Sequence, residues 1–210
     1  YGPGLTSRDL CAIWQDRCWY NFCEYGVMLA NVQRGILPPL SGIWNNESFQ
    51  SSHGCPIRAE IWGLVAPGRP DIARHYATMD GQTDHGPVSI DIEVFYAVMA
   101  SYAMECSDIR DVLERTARFL GEETPSVKVF RAVGEIWKSA ANEKSCWRRC
   151  VRTFGSRDAS DATMNHALTI LSLLIGGGDL RRTIVAAMRY GWDTDCTAST
   201  AAALLATCVG

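Results

Sequence analysis

Apolar residues recur at helical spacing along almost all of this 210-residue chain, and no segment alternates as a half-buried strand would. That pattern confines the fold to packed helices. A Ser or Thr cap opens a helix over 7–18 with Leu10, Ile13 and Trp14 on one face. A second runs over 23–33 and stops at Gly35, before the Pro38-Pro39 break. A short helix follows over 58–64, and Pro70 sits at the first position of another that reaches residue 79. The stretch 88–105 is long and apolar, with Ile92, Phe95, Tyr96, Met99, Tyr102 and Ala103 inward. Ser107-Asp108 caps a helix that Gly121 ends, and Ser126 after Pro125 opens one carrying Phe130, Val133 and Trp137. Helices over 160–175 and 179–190 are separated by Gly176-Gly177-Gly178, and a last one begins in Asp193-Thr194-Asp195. The expectation is an all-α fold, a single compact domain of about nine or ten packed, non-repetitive helices.

Chain length and a 47% apolar fraction suffice for one sizeable core. Net charge is −3 and the basic residues are scattered; Arg148, Arg149 and Arg152, the densest group, are too few for a nucleic-acid surface. The longest apolar run, 167–175, is too short to span a bilayer, so no membrane partner is expected. Nine cysteines form an odd set without a CxxC pair. Cys146 and Cys150 share a helical face, but no second pair with zinc-like spacing accompanies them. Read as small buried residues, the cysteines predict a reducing, intracellular compartment, the cytoplasm first.

Chemistry concentrates in Gly191-Trp192-Asp193-Thr194-Asp195-Cys196. Two carboxylates two positions apart stand where a loop turns into a helix, and Asp193 can cap that helix through its side chain. The segment reads either as an ordinary acidic helix start or as oxygen ligands for a hard cation such as Mg²⁺. Trp192 beside it reads as a stacking surface for a heteroaromatic ring or as core filler. His85 follows Asp84 in a polar stretch, where it is either a surface residue or a hydrogen-bond donor to a substrate. Gly54 and Cys55 precede a helix start and could offer backbone amides to a diphosphate, although Pro56 removes one donor. Arg58 could pair with a phosphate or with a buried carboxylate such as Glu60 or Asp91, the structural pairing being favoured. The 38–54 stretch, rich in Ser, Asn and Gly, is long for an idle loop.

Four segments, in order, carry a resemblance: Gly54-Cys55-Pro56-Ile57-Arg58 with Trp62-Gly63 and Pro67-Gly68-Arg69-Pro70 after it, Thr83-Asp84-His85, Leu173 to Asp179, and Gly191-Trp192-Asp193-Thr194-Asp195. Together they resemble the ADP-ribosylglycohydrolase family, over nearly the whole chain. The resemblance implies that Mg²⁺, as two ions in a complete site and replaceable by Mn²⁺, orients a ribose and its attacking water for hydrolysis of a glycosidic bond. Asp193 and Asp195 are the implied catalytic metal ligands, and Gly54, Cys55, His85 and Trp192 the implied substrate contacts. The implied partner is a small-molecule or protein-linked ADP-ribosyl substrate, within a larger assembly if one forms. Family members also carry an N-terminal Thr-Asp-Asp motif, and this chain has no Asp-Asp pair. The resemblance therefore implies a domain over 1–210 that is incomplete at the N-terminus and at the C-terminus. Cys196 stands where many members have a metal-binding Thr. The competing expectation is a non-catalytic relative, a structural or assembly protein that kept the helical core.

Overall fold

Two helices organise the molecule because neither has a polar face to turn to water. In the computed structural model, which describes residues 2–210, α1 spans Ser7–Arg17, α2 Cys23–Gln33, α3 Glu60–Leu64, α4 Pro70–Asp84 and α5 Pro87–Ala103. They are followed by α6 Ile109–Leu120, α7 Pro125–Ser139, α8 Glu143–Phe154, α9 Ala162–Gly176, α10 Leu180–Tyr190 and α11 Thr194–Val209. In α9 every residue from Met164 to Gly176 is buried, and in α5 every residue from Ile92 to Ser101 is. A helix apolar on all sides has to be covered on all sides. Accordingly α5 packs against α3, α4, α6, α7, α9 and α11, while α9 packs against α5, α7, α8, α10 and α11. The outer helices α6, α7, α8 and α10 are amphipathic and bury one stripe each, such as Val127, Phe130, Val133 and Ile136 of α7. A smaller cluster of Cys11, Met28, Leu29 and Val32 joins α1 to α2, with Trp14 and Leu37 against it.

Local chemistry sets the boundaries. Asp108, Asn142, Asp161 and Asp179 accept from the amides of Arg110, Ser145, Met164 and Arg182 and so cap α6, α8, α9 and α10. Proline occupies the first turn of α4, α5 and α7, where its missing N–H costs nothing. Gly177, at φ 60°, ends α9 in the left-handed conformation open to glycine.

The all-α, single-domain expectation holds, with eleven helices among the described residues and no strand. One antiparallel bridge joins Ser52 to Asp161. The additional helix is α8, started by the Asn142 cap. Within α1, Cys11 is the buried residue and Ile13 faces water. The helix expected over 58–64 divides into a 3-10 turn, Pro56–Arg58, and α3. Helix α4 runs to Asp84, five residues further than expected, because Arg58 neutralises the acidic residues of its last turns. The 38–54 stretch is a packed strap: Asn31 Nδ2 donates to the carbonyls of Ser41 and Trp44, Ser41 Oγ to Thr83 O, and Asn46 Nδ2 to Gly42 O and Asp84 O. All nine cysteines are free thiols. No helix among the described residues is long and apolar enough to cross a membrane.

Candidate functional site

The turn between α10 and α11 is built against the chain's intrinsic preferences. Gly191 has φ 84°, and Trp192 follows at φ 61°, a left-handed conformation that side chains other than glycine rarely adopt. Outside contacts hold it. The Trp192 indole N–H donates to Ser156 O at 3.0 Å, and its ring packs on the main core. One residue later the Asp193 amide donates to Asn165 Oδ1 at 3.1 Å.

Asp193 thereby heads α11, its carbonyl accepting from Thr197 N at 2.9 Å. The expected side-chain cap is absent: with φ −86° and ψ 73°, Asp193 makes no cap hydrogen bond through its carboxylate. That group lies with a carboxylate oxygen of Asp195 and Cys196 Sγ, all three atoms within 4.8 Å of one another. Partial burial, together with the Asp195 carboxylate, raises the Asp193 carboxyl above its ordinary range, against the nearby Cys196 thiol and amide, which favour the charged form. Burial first, then both carboxylates, push the Cys196 thiol up to about 12, so it stays neutral at physiological pH. The donor set is thus two hard oxygens and one protonated sulfur. Its oxygens fit Mg²⁺ or Mn²⁺, while the thiol does not.

The remaining expected substrate contacts lie elsewhere, around Arg58. Its Nε is 2.8 Å from Asp80 Oδ2, its Nη2 2.8 Å from Asp84 Oδ1 and its Nη1 2.9 Å from Asp84 Oδ2. The pairing is therefore structural, but with Asp80 and Asp84. Asp91 instead accepts from Ser126 N at the start of α7. Trp62 Nε1 adds a bond to Asp80 Oδ2, and the guanidinium lies 5.7 Å from the Trp14 ring, which stacks on Tyr25. Burial alone would raise Asp84; Arg58 and the His85 ring outweigh it and hold that carboxyl well below the usual carboxylate range.

His85 is fully buried at the end of α4, not in a polar loop. Its Nδ1 pairs with Asp84 Oδ1 at 2.7 Å and its Nε2 with Ser52 Oγ at 3.0 Å, so neither nitrogen is left for a substrate. Cys55 is equally buried, its thiol raised well above the ordinary range by burial and by Glu93. Gly54 faces the Glu24 carboxylate and the His85 ring, which fill the space a Cβ would need. The helix start expected after Gly54 and Cys55 is a single 3-10 turn, too short to focus amides on a diphosphate.

A chain of contacts nevertheless joins the two regions. Ser52, bonded to His85, bridges to Asp161, and Ala162 N donates to Ser51 O. Asn165 Nδ2 then donates to Asp161 O at 2.9 Å while its oxygen holds Asp193. Asn165, Ser52 and Glu24 escaped the sequence reading. The available signal was polar Asn165-His166 inside an otherwise apolar helix.

A family model described as ADP-ribosylglycohydrolase matches residues 6–210. No curated protein and no solved structure matches the chain. The match covers both the Arg58 cluster and the Asp193–Asp195 turn, and the chain belongs to the ADP-ribosylglycohydrolase family.

Proposed function

We propose that this chain hydrolyses the glycosidic bond of an ADP-ribosyl group or a related nucleoside-type substrate, free or protein-linked, with Mg²⁺ held by Asp193 and Asp195 and Mn²⁺ as a substitute. Family membership supports glycohydrolase chemistry on such substrates. The observation that carries the metal reading is that Asp193 heads α11 without using its carboxylate as a cap, beside Asp195. A divalent cation bound there supplies a Lewis acid that lowers the pKa of water and orients sugar hydroxyls. Asp195, exposed in the first turn of α11, is an oxygen acceptor for the proton that water gives up. The water oxygen bonds to the anomeric carbon as the bond to the leaving nitrogen or oxygen breaks, and the proton that Asp195 takes from the water passes on to the leaving atom. Mg²⁺ takes six ligands, so two carboxylates give weak binding unless other oxygens join them.

The test is hydrolysis of ADP-ribosyl peptides and small ADP-ribosyl derivatives, alongside Mn²⁺ titration. Asp193→Asn and Asp195→Asn should each lower kcat/KM by about 100-fold or more, because the cation loses a charged ligand. The unfolding temperature of Asp193→Asn should stay within a few degrees, since that carboxylate closes no cap hydrogen bond. Undiminished turnover in Asp193→Asn would sink the metal assignment. One observation favours the non-catalytic reading: Cys55 and His85, expected to touch substrate, expose no surface. Wild-type protein that binds Mn²⁺ yet hydrolyses none of these substrates would decide for that reading.

A further inference from the structure

We propose that Asn165 is a positioning residue for the Asp193–Asp195 pair: by accepting the Asp193 N–H, it keeps the Asp193 carboxylate from closing a cap on its own helix and so leaves it available to a cation. This inference rests on the metal reading above.

Four aspartates stand at helix N-caps among the described residues. Asp108, Asp161 and Asp179 fold their carboxylates back onto amides of their own first turns, at 2.9, 2.8 and 2.7 Å. Asp193 alone closes no such bond: its carboxylate stands near the Cys196 amide without the geometry of a cap. Asn165 marks the physical difference. It is fully buried in the first turn of α9, and its amide has one way to sit. Nδ2 donates to Ala159 O at 2.8 Å and to Asp161 O at 2.9 Å. With both N–H groups matched to carbonyls, Oδ1 is left facing the Asp193 N–H.

The carbonyls that orient Asn165 are themselves anchored. Asp161 bridges to Ser52, and Trp192 Nε1 donates to Ser156 O in the same 155–161 segment. The turn at 191–193 is thus pinned at two points, Ser156 on Trp192 and Asn165 on Asp193. Without the second pin, Asp193 can relax to the extended N-cap conformation of Asp108 and Asp179, and its carboxylate can take the amide of Cys196 as a cap. A carboxylate so engaged is a poorer metal ligand, and a group that orients a ligand typically governs affinity by 10–100-fold.

The experiment compares wild type, Asn165→Ala, Asn165→Leu and Phe130→Leu as a core-destabilised control. Mn²⁺ affinity is measured by titration, and hydrogen exchange of the Cys196 amide is followed without metal. Asn165→Ala should bind Mn²⁺ about tenfold or more weakly, and its Cys196 amide should gain protection as the cap forms. Asn165→Leu keeps the side-chain volume but has no oxygen for the Asp193 N–H, and should weaken Mn²⁺ binding by a similar factor, about tenfold; it carries the test if the alanine variant does not fold. Phe130→Leu should lose stability with Mn²⁺ affinity unchanged. Unchanged affinity in folded Asn165→Ala or in folded Asn165→Leu overturns the role of Asn165 alone. Wild-type protein that binds no Mn²⁺ overturns the metal reading and this inference with it.

Discussion

Arg58 and Asp84 form a two-pronged ion pair, Nη2 to Oδ1 at 2.8 Å and Nη1 to Oδ2 at 2.9 Å, with Asp84 wholly out of water. Arg58 comes from the 3-10 turn before α3 and Asp84 from the last turn of α4, so the pair fixes one element on the other. Asp80, Trp62 and His85 complete the set of partners.

Removing the arginine strands two buried carboxylates. Arg58→Met should destabilise by about 3–5 kcal/mol, the usual cost of leaving buried charge unpaired. Arg58→Lys should recover only part of this, because an ammonium cannot make the parallel fork. The loss in Arg58→Met should grow with pH, since Arg58, ahead of His85, holds Asp84 below its unfolded pKa. Its stabilisation is present above that unfolded value and fades as pH falls through the depressed one. Urea unfolding at pH 4 and pH 7 checks this; equal losses at the two would refute it.

Glu93 behaves in the opposite sense. It is fully buried on α5, and burial, then the Asp80 carboxylate, raise it well above 4.5, so it stays protonated in the native state. A raised native pKa gives stability that is full below the unfolded pKa and is lost as pH climbs toward the native value. Glu93→Gln removes that dependence. The stability of Glu93→Gln relative to wild type should therefore rise with pH above about 4.5, by up to about 1.4 kcal/mol per unit. A difference that is flat from pH 5 to pH 8 contradicts a neutral Glu93.

His53 reports the acid side. It is buried, neither ring nitrogen has a hydrogen-bond partner among the described residues, and burial, then His166 and His85, lower its pKa to about 3. A lowered native pKa gives stability that is full above the unfolded value of 6.5 and is lost as pH falls toward 3. His53→Leu should therefore stabilise more at pH 5 than at pH 8, by roughly 1–2 kcal/mol of difference. Thermal unfolding at the two pH values measures it, and a gain that is larger at pH 8 would reverse the assignment.

Local patterns carried most of the fold to the surface of the sequence, and distance in the chain hid the rest. The apolar runs of α5 and α9 and the Asp cap of α6 are legible because they depend on neighbours within one turn. The Asp193–Asp195 pair stands out in sequence for the same reason, but the side-chain cap that its spacing suggested does not form. Thr83-Asp84-His85 read as a polar loop because the partner that makes it helical and buried, Arg58, lies 26 residues before Asp84. Asn165 stands 28 residues before the amide it holds, and nothing in a helical pattern marks such a pair. The left-handed Trp192 was equally invisible, since its conformation is imposed by Ser156 and Asn165 and not by its own preference.

Two glycines that look alike in sequence, each inside a helix, should respond to alanine with opposite signs. Gly63 of α3 lies where that helix crosses α5. A Cβ there would strike the Ala97 carbonyl and fall 2.6 Å from the Ser101 amide nitrogen, both backbone atoms that cannot swing aside. The crossing is further fixed by Ser101, whose hydroxyl donates to Ala66 O and whose carbonyl accepts from Gly68 N. Gly63→Ala must therefore push α3 off α5, at about 2–3 kcal/mol for an overpacked contact. Gly134 of α7 has no atom within 4 Å of the same position. Alanine there meets open space, narrows the unfolded ensemble and favours the helix, for a gain of about 0.5–1 kcal/mol. Urea midpoints of the two single variants measure both signs at once. A stabilised Gly63→Ala would mean that α3 does not pack on α5 at this distance.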